Sequence, residues 1–394
     1  MKQMKLSITL VIFITLFKMA SASAPMIGVH ISESDLSEYK NKIDKSVQLN
    51  IKVIRIPLDW NVLEPTQNNY NTSYINEVKA RLSHAQLKGQ KAVLMLGQSP
   101  SWANGNNHQS FPPTSNFYQA FANAMLHLHT ALIDTNDSYL INTNSILAWE
   151  VWNEPNVVEF WGTHTVRAGT YVLVHLDAAE EYAALLEICY TTMKSAYSGV
   201  TILGGSLASA DTDYLQAMYT YWDNDAKFDH LSLHPYSRVD QEAGSNYSRS
   251  QYPDQCNESD SLAPPWCYKQ GVENIRTLLD NKGDTQKQIW FTEFGTSSLD
   301  AWGHARSEVV QREHMYRALN ILKDWYKDND AMKIPIAIAY KLKDEGTDKF
   351  GLYRNDLSIK PVATEIKDRL DSNGELVTNT DYTVLSILYM LILD

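Results

Sequence analysis

Eight short apolar runs, each followed by a stretch of helical periodicity, constrain this chain more than any other feature. The runs are MIGVHIS (26 to 32), VIRIPLDW (53 to 60), KAVLMLG (91 to 97) and ILAWEVWNE (146 to 154), then TILGGS (201 to 206), HLSLHPY (230 to 236), IWFTEFG (289 to 295) and IPIAIAYKL (334 to 342). Between them lie segments such as YINEVKARLSHAQLKG and VVQREHMYRALNILKDWYKDN, whose apolar residues recur at helical spacing. Strands that are apolar through most of their length and separated by helices belong to a parallel sheet covered by helices. The pattern predicts an α/β protein with one catalytic-sized domain, a (β/α)8 TIM barrel over residues 25 to 370, with long loops after strands three, four and six. A doubly wound open sheet is the alternative, and no glycine-rich phosphate loop follows the first strand to support it.

With 44% apolar and 20% charged residues in 394, the chain can bury a large core. Its net charge of -12 makes nucleic acid or an anionic membrane surface a poor partner. The 10 Trp and 22 Tyr suit either a large core or the flat faces on which sugar rings stack, and composition does not choose between them.

The chain begins with Lys2 and Lys5, an apolar run from Leu6 to Phe17, and then small residues. This is the layout of a secretory signal peptide over residues 1 to 22, cleaved after Ala22, with an uncleaved anchor as the alternative. Export to the extracellular space, or to the periplasm of a bacterium, is expected. Cys256 and Cys267 fall in a polar, Pro-rich stretch and are expected to form a disulfide there, whereas Cys189 sits in a helical pattern and reads as a buried thiol. Asn71, Asn136, Asn246 and Asn257 open N-x-S/T sequons. The tail, residues 371 to 394, has small residues at 372 to 374, a polar spacer and a weak apolar end. It reads as a lipid-anchor signal in a eukaryotic source, or else as a packed terminus.

In a barrel, the C-terminal ends of the strands surround one pocket. Strand two brings Arg55 and Asp59 there, and strand four brings Asn153 and Glu154. Strand six brings His234 and Tyr236, strand seven Glu293, and strand eight Tyr340, while Trp102 and Trp161 lie in the loops after strands three and four. Two glutamates thus converge across the barrel mouth. Hydrolysis of a glycosidic bond needs such a pair, one carboxyl protonated to release the leaving oxygen and one ionised to attack carbon or activate water. Glu154, with Trp149 and Trp152 as sequence neighbours, suits the acid, and Glu293 the nucleophile, held ionised by Arg55 and hydrogen-bonded by Tyr236.

These residues carry a resemblance. WNEPN, WFTEFG, RIPLDW and HPY resemble the strand-four, strand-seven, strand-two and strand-six motifs of the retaining glycoside hydrolases of clan A. SPSWANG and FGLYRNDLSIKPVA are most similar to family 39 and its endoglycosidase-like members, with family 5 next. The resemblance implies Glu154 as acid/base, Glu293 as nucleophile and Asn153 as a ligand of the sugar 2-hydroxyl. Where the clan commonly presents a strand-eight Trp, this chain has Tyr340.

The expected protein is therefore a secreted retaining glycosidase acting on a β-linked polysaccharide or oligosaccharide. It is expected to work as a monomer without metal, cofactor or obligate protein partner. Arg55, His234, Tyr236, Asn153, Trp102, Trp161 and Tyr340 are its candidate substrate contacts. The competing readings are a barrel that binds carbohydrate without turnover, and metal-assisted hydrolysis, for which His30, His234 and Asp59 make a thin ligand set. Four of these contacts also have a plainer explanation: Arg55 as a buried partner of Asp59, His234 as a hydrogen-bonded strand residue, and the two Trp residues as loop packing.

Overall fold

The structure is a computed structural model that describes residues 23–162, 164–168, 172–237, 239–240, 249–250, 252–256, 266–299 and 307–378. The expected signal peptide, the sequons at 246 and 257 and the tail beyond 378 lie outside these residues. Eight strands, β1 (Met26–His30), β2 (Val53–Asp59), β3 (Lys91–Gly97), β4 (Ile146–Val151), β5 (Ile202–Ala208), β6 (His230–His234), β7 (Ile289–Phe294) and β8 (Ile336–Ala339), alternate with helices. They close into a barrel in which each strand lies beside its sequence neighbours and β8 returns to β1. All eight pairings are parallel, as the apolar runs predict.

The barrel interior is layered by the two-residue period of the strands. Val53, Val93, Ala148, Leu203, Trp290 and Ile336 form an apolar floor. Two residues further along three of these strands, the same faces carry Arg55, Glu150 and Thr292, all wholly buried. An apolar plug thus supports a polar layer just below the mouth.

Three local irregularities shape that mouth. Between the pairs Phe291–Ala337 and Phe294–Ala339, β7 holds one residue more than β8. This bulge re-aims the strand, so that Thr292 and Glu293 both reach the interior while Phe291 and Phe294 both pack outward. At the end of β4, Trp152 (φ 67) and Glu154 (φ 43) adopt left-handed backbone, which turns the chain sharply and lets Trp152 enter the outer core while Glu154 turns to the mouth. In β5 the register shifts beside Gly205, whose φ of 103 and contact with the Ser232 carbonyl and Leu231 leave no room for a Cβ. The next residue, Ser206, accepts the Glu154 amide at 3.0 Å.

The expected Cys256–Cys267 disulfide is formed, and Cys189 is a buried free thiol. Asn71 caps the helix Thr72–Leu87 by accepting the Tyr74 amide. Residues 371–378 return to the start of β1: Glu375 bridges Met26, and Leu376 is buried after donating to the Pro25 carbonyl. The described part of the tail is therefore packed on the barrel floor.

Candidate active site

Arg55 organises the polar layer. Its side chain is wholly buried, and its donors reach four acceptors on three other strands or their ends. Nε donates to Glu150 Oε2 at 2.6 Å and Nη2 to Asn153 Oδ1 at 2.9 Å; Nη1 donates to Glu293 Oε1 and lies 3.2 Å from His30 Nδ1. The partner suggested by sequence proximity, Asp59, is not among them. Burial works against the charge of Arg55, but the two carboxylates outweigh it and keep the guanidinium protonated. Because Asn153 spends its carbonyl oxygen on Arg55, its amide hydrogens remain for a ligand.

Glu293 sits between two donors, with Arg55 on Oε1 and the Tyr236 hydroxyl on Oε2 at 2.8 Å. Glu154 has different company. Its side chain is 15% exposed and its Oε1 lies 2.8 Å from His234 Nδ1. Burial pushes its carboxyl up to about 8, Arg55 opposes that, and the acidic neighbours Glu159 and Glu150 add to it. Burial lowers the pKa of His234, so a neutral imidazole faces Glu154. The far nitrogen of that ring, Nε2, is 3.1 Å from Thr292 Oγ1 and 3.4 Å from Ser206 Oγ. Glu154, His234 and Glu293 present one ligand-type atom each, all within 4.8 Å of one another. Both Glu293 oxygens are already engaged, and the adjacent Arg55 cation disfavours a second positive charge. The cluster suits proton handling better than cation binding.

Of the sequence-predicted residues, Arg55, Asn153, Glu154, His234, Tyr236 and Glu293 form one connected network. Tyr340 stands beside it: its ring is 5.1 Å from His30 and 5.5 Å from Phe350, which in turn lies 5.9 Å from Tyr236. Trp102 is half-buried, edge-on to Trp60 and Phe117, with its N–H given to the Glu64 carbonyl. Trp161 is a correction. It is 0% exposed, packed edge-on against Trp152 and Tyr182 with its N–H on Glu181, so it has no free face for a sugar. The left-handed turn after β4 sends this part of the loop back into the core. Sequence reasoning missed Glu150, Thr292 and Phe350 as members of the network.

Residues 19–331 match the family described as Cellulase (glycosyl hydrolase family 5). The chain belongs to glycosyl hydrolase family 5. This family 5 chain also shares its fold with a family 39 glycoside hydrolase from the gut symbiont Bacteroides cellulosilyticus WH2, at a TM-score of 0.63 and 19% identity, covering 86% of this chain and 62% of that one. It therefore spans about three fifths of the length of that relative. A GH5_18 enzyme from Streptomyces cattleya, solved with Manβ1-4GlcNAc, aligns at a TM-score of 0.62 and 13% identity over 88% of this chain and 80% of its own. A GH5_18 enzyme from Bifidobacterium longum subsp. longum aligns at 0.59 and 14% identity, over 88% and 78%. No curated protein matches the chain. Both families that the motifs resemble thus recur, and the family to which the chain belongs is one of glycoside hydrolases with the TIM-barrel fold of clan A.

Proposed function

We propose that this family 5 enzyme hydrolyses β-glycosidic bonds with net retention, Glu293 acting as nucleophile and Glu154 as acid/base. The observation that carries the reading is the pairing of two carboxylates, with oxygens within 4.8 Å, in opposed surroundings. Retaining pairs stand about 5–5.5 Å apart, and inverting pairs, which must seat a water, about 6.5–9.5 Å. A Glu293 oxygen attacks the anomeric carbon as the bond to the leaving oxygen breaks, and the Glu154 proton passes to that oxygen. Glu154, now a carboxylate, takes a proton from water. The water oxygen attacks the same carbon, the ester to Glu293 breaks, and both residues return to their starting states.

The grip of Arg55 and Tyr236 on Glu293 supports its role as the nucleophile, and burial of Glu154 supports its role as a proton donor near neutral pH. The Asn153 amide and the Tyr236–Phe350–Tyr340 aromatic edge are the proposed sugar contacts. The N-terminal segment is proposed to direct secretion, in keeping with a disulfide, which persists in oxidising compartments.

The test is hydrolysis of a panel of β-glucans, xylans, mannans, bacterial exopolysaccharides and 4-nitrophenyl β-glycosides. A β-linked manno-disaccharide belongs on it because of the GH5_18 relative. Proton NMR of the first product would show the β-anomer. An initial α-anomer would refute retention, and no turnover on any substrate would refute the enzyme reading.

A further inference from the structure

Glu150 is the one carboxylate of this network that cannot touch a substrate. It lies on β4 four residues before Glu154, wholly buried in the layer beneath the mouth. A carboxylate there is costly unless it is paired and hydrogen-bonded. The charge of Glu150 is met by the Arg55 Nε–H, which Oε2 takes at 2.6 Å, and by the Thr292 hydroxyl beside it. A group retained in so unfavourable a place invites a reason beyond stability.

Arg55 supplies one. A guanidinium has a fixed fork of donors, so holding one edge fixes where the others point. Glu150 holds the Nε edge, which leaves Nη1 for Glu293 and Nη2 for Asn153. The charges are arranged to the same end. One buried cation is shared by two carboxylates, so Glu293 does not neutralise Arg55 alone, and a carboxylate fully paired to a cation is a poorer nucleophile. We propose that Glu150 is a positioning residue for the reaction: it fixes the guanidinium edge that aligns Glu293 and Asn153, and its charge offsets the cation beneath the catalytic pair. The inference rests on the roles proposed for Glu154 and Glu293.

The charge has a second effect. The groups facing Glu150 are Arg55 from β2, Glu154 beyond its own strand end, His234 from β6, Thr292 from β7 and Tyr182 from the helix Asp177–Ala196. Among them Glu150 is a source of negative potential at Glu154, so removing it makes the acid/base easier to ionise.

The experiment compares Glu150→Gln and Glu150→Asp with the unaltered enzyme on a 4-nitrophenyl β-glycoside that the panel shows to be cleaved, with melting temperature recorded for each. Glu150→Gln keeps shape and removes charge. The expected result is a fall in kcat of about 10- to 100-fold, KM within about twofold, and a basic limb of kcat/KM displaced to lower pH by about one unit. Glu150→Asp keeps charge and shortens the reach, so kcat falls while the limb stays in place. A Gln variant with unaltered kcat and an unmoved limb overturns the inference, whatever its melting temperature. If the Gln variant does not fold, the Asp variant decides, and unaltered kcat there overturns it equally. An inactive Glu293→Ala alongside a fully active Glu150→Gln would sink this inference and leave the proposed function standing.

Discussion

An oxygen of Glu154 and an oxygen of Glu293 lie within 4.8 Å of each other, although 138 residues separate them in sequence (293 minus 154, less one). The surroundings of the two carboxyls differ as much as their positions agree, and each difference leads to a measurable outcome.

Removing the proposed nucleophile should end turnover. Glu293→Ala is expected to lower kcat on the order of 10^5-fold or more. Glu154→Ala should cost roughly 10²- to 10⁴-fold on a sugar leaving group. The same variant should retain the first step on a 4-nitrophenyl glycoside, whose leaving group needs no proton. Pre-steady-state release of nitrophenol reads that step directly.

The proposed acid/base, Glu154, should set the alkaline side of the pH profile. With the Glu154 carboxyl pushed up to about 8, kcat/KM should fall as pH rises through that value. Stability follows the same sign. A carboxyl whose folded-state value is raised above its unfolded one contributes stability that is fully present below the ordinary value of 4.5 and lost as pH rises through about 8. Glu154→Gln should therefore gain on the unaltered enzyme by roughly 2–4 °C in melting temperature between pH 5 and pH 9. Equal curves at both pH values would contradict the burial argument.

Tyr236 donates to the Glu293 oxygen that Arg55 does not hold. Hydrogen bonds to charged groups contribute about 1.5–3 kcal/mol, so Tyr236→Phe should lower kcat/KM roughly 10- to 100-fold with little change in melting temperature.

Trp161 should behave as core. Trp161→Ala is expected to destabilise the fold by about 3–5 kcal/mol in denaturant titration, while KM of the folded fraction stays put. A selective rise in KM would restore a sugar-stacking role.

Thiol chemistry should read out the cysteines in three stages. Ellman titration should find no reactive thiol in the native protein. It should find one, Cys189, after unfolding without reductant, and all three after reduction.

Much of this was legible in the chain itself. Every barrel strand coincides with one of the apolar runs, because burial on both faces of a parallel strand leaves a continuous apolar signal. Glu154 stands out because it closes its run with a charge, and Glu293 because it carries the one charge of its run, near the end of the strand. Glu150 was hidden for the opposite reason, lying inside its run, where only a partner in space explains it. The sign was there to read: VIRIPLD and ILAWEV each carry one charge of opposite sign in mid-strand. Trp161 departs from its expected role because a loop position in the sequence suggests exposure, whereas two left-handed residues in β4's exit fold that loop inward. The bulge that turns Glu293 inward has no signature in IWFTEF, since it depends on where β8 pairs.

The antiparallel seam between residues 374–376 and the start of β1 brings both described ends of the chain out on the face opposite the opening. A support joined at residues 374–376, on the far side of the barrel, would leave the Glu154–Glu293 mouth facing away from it.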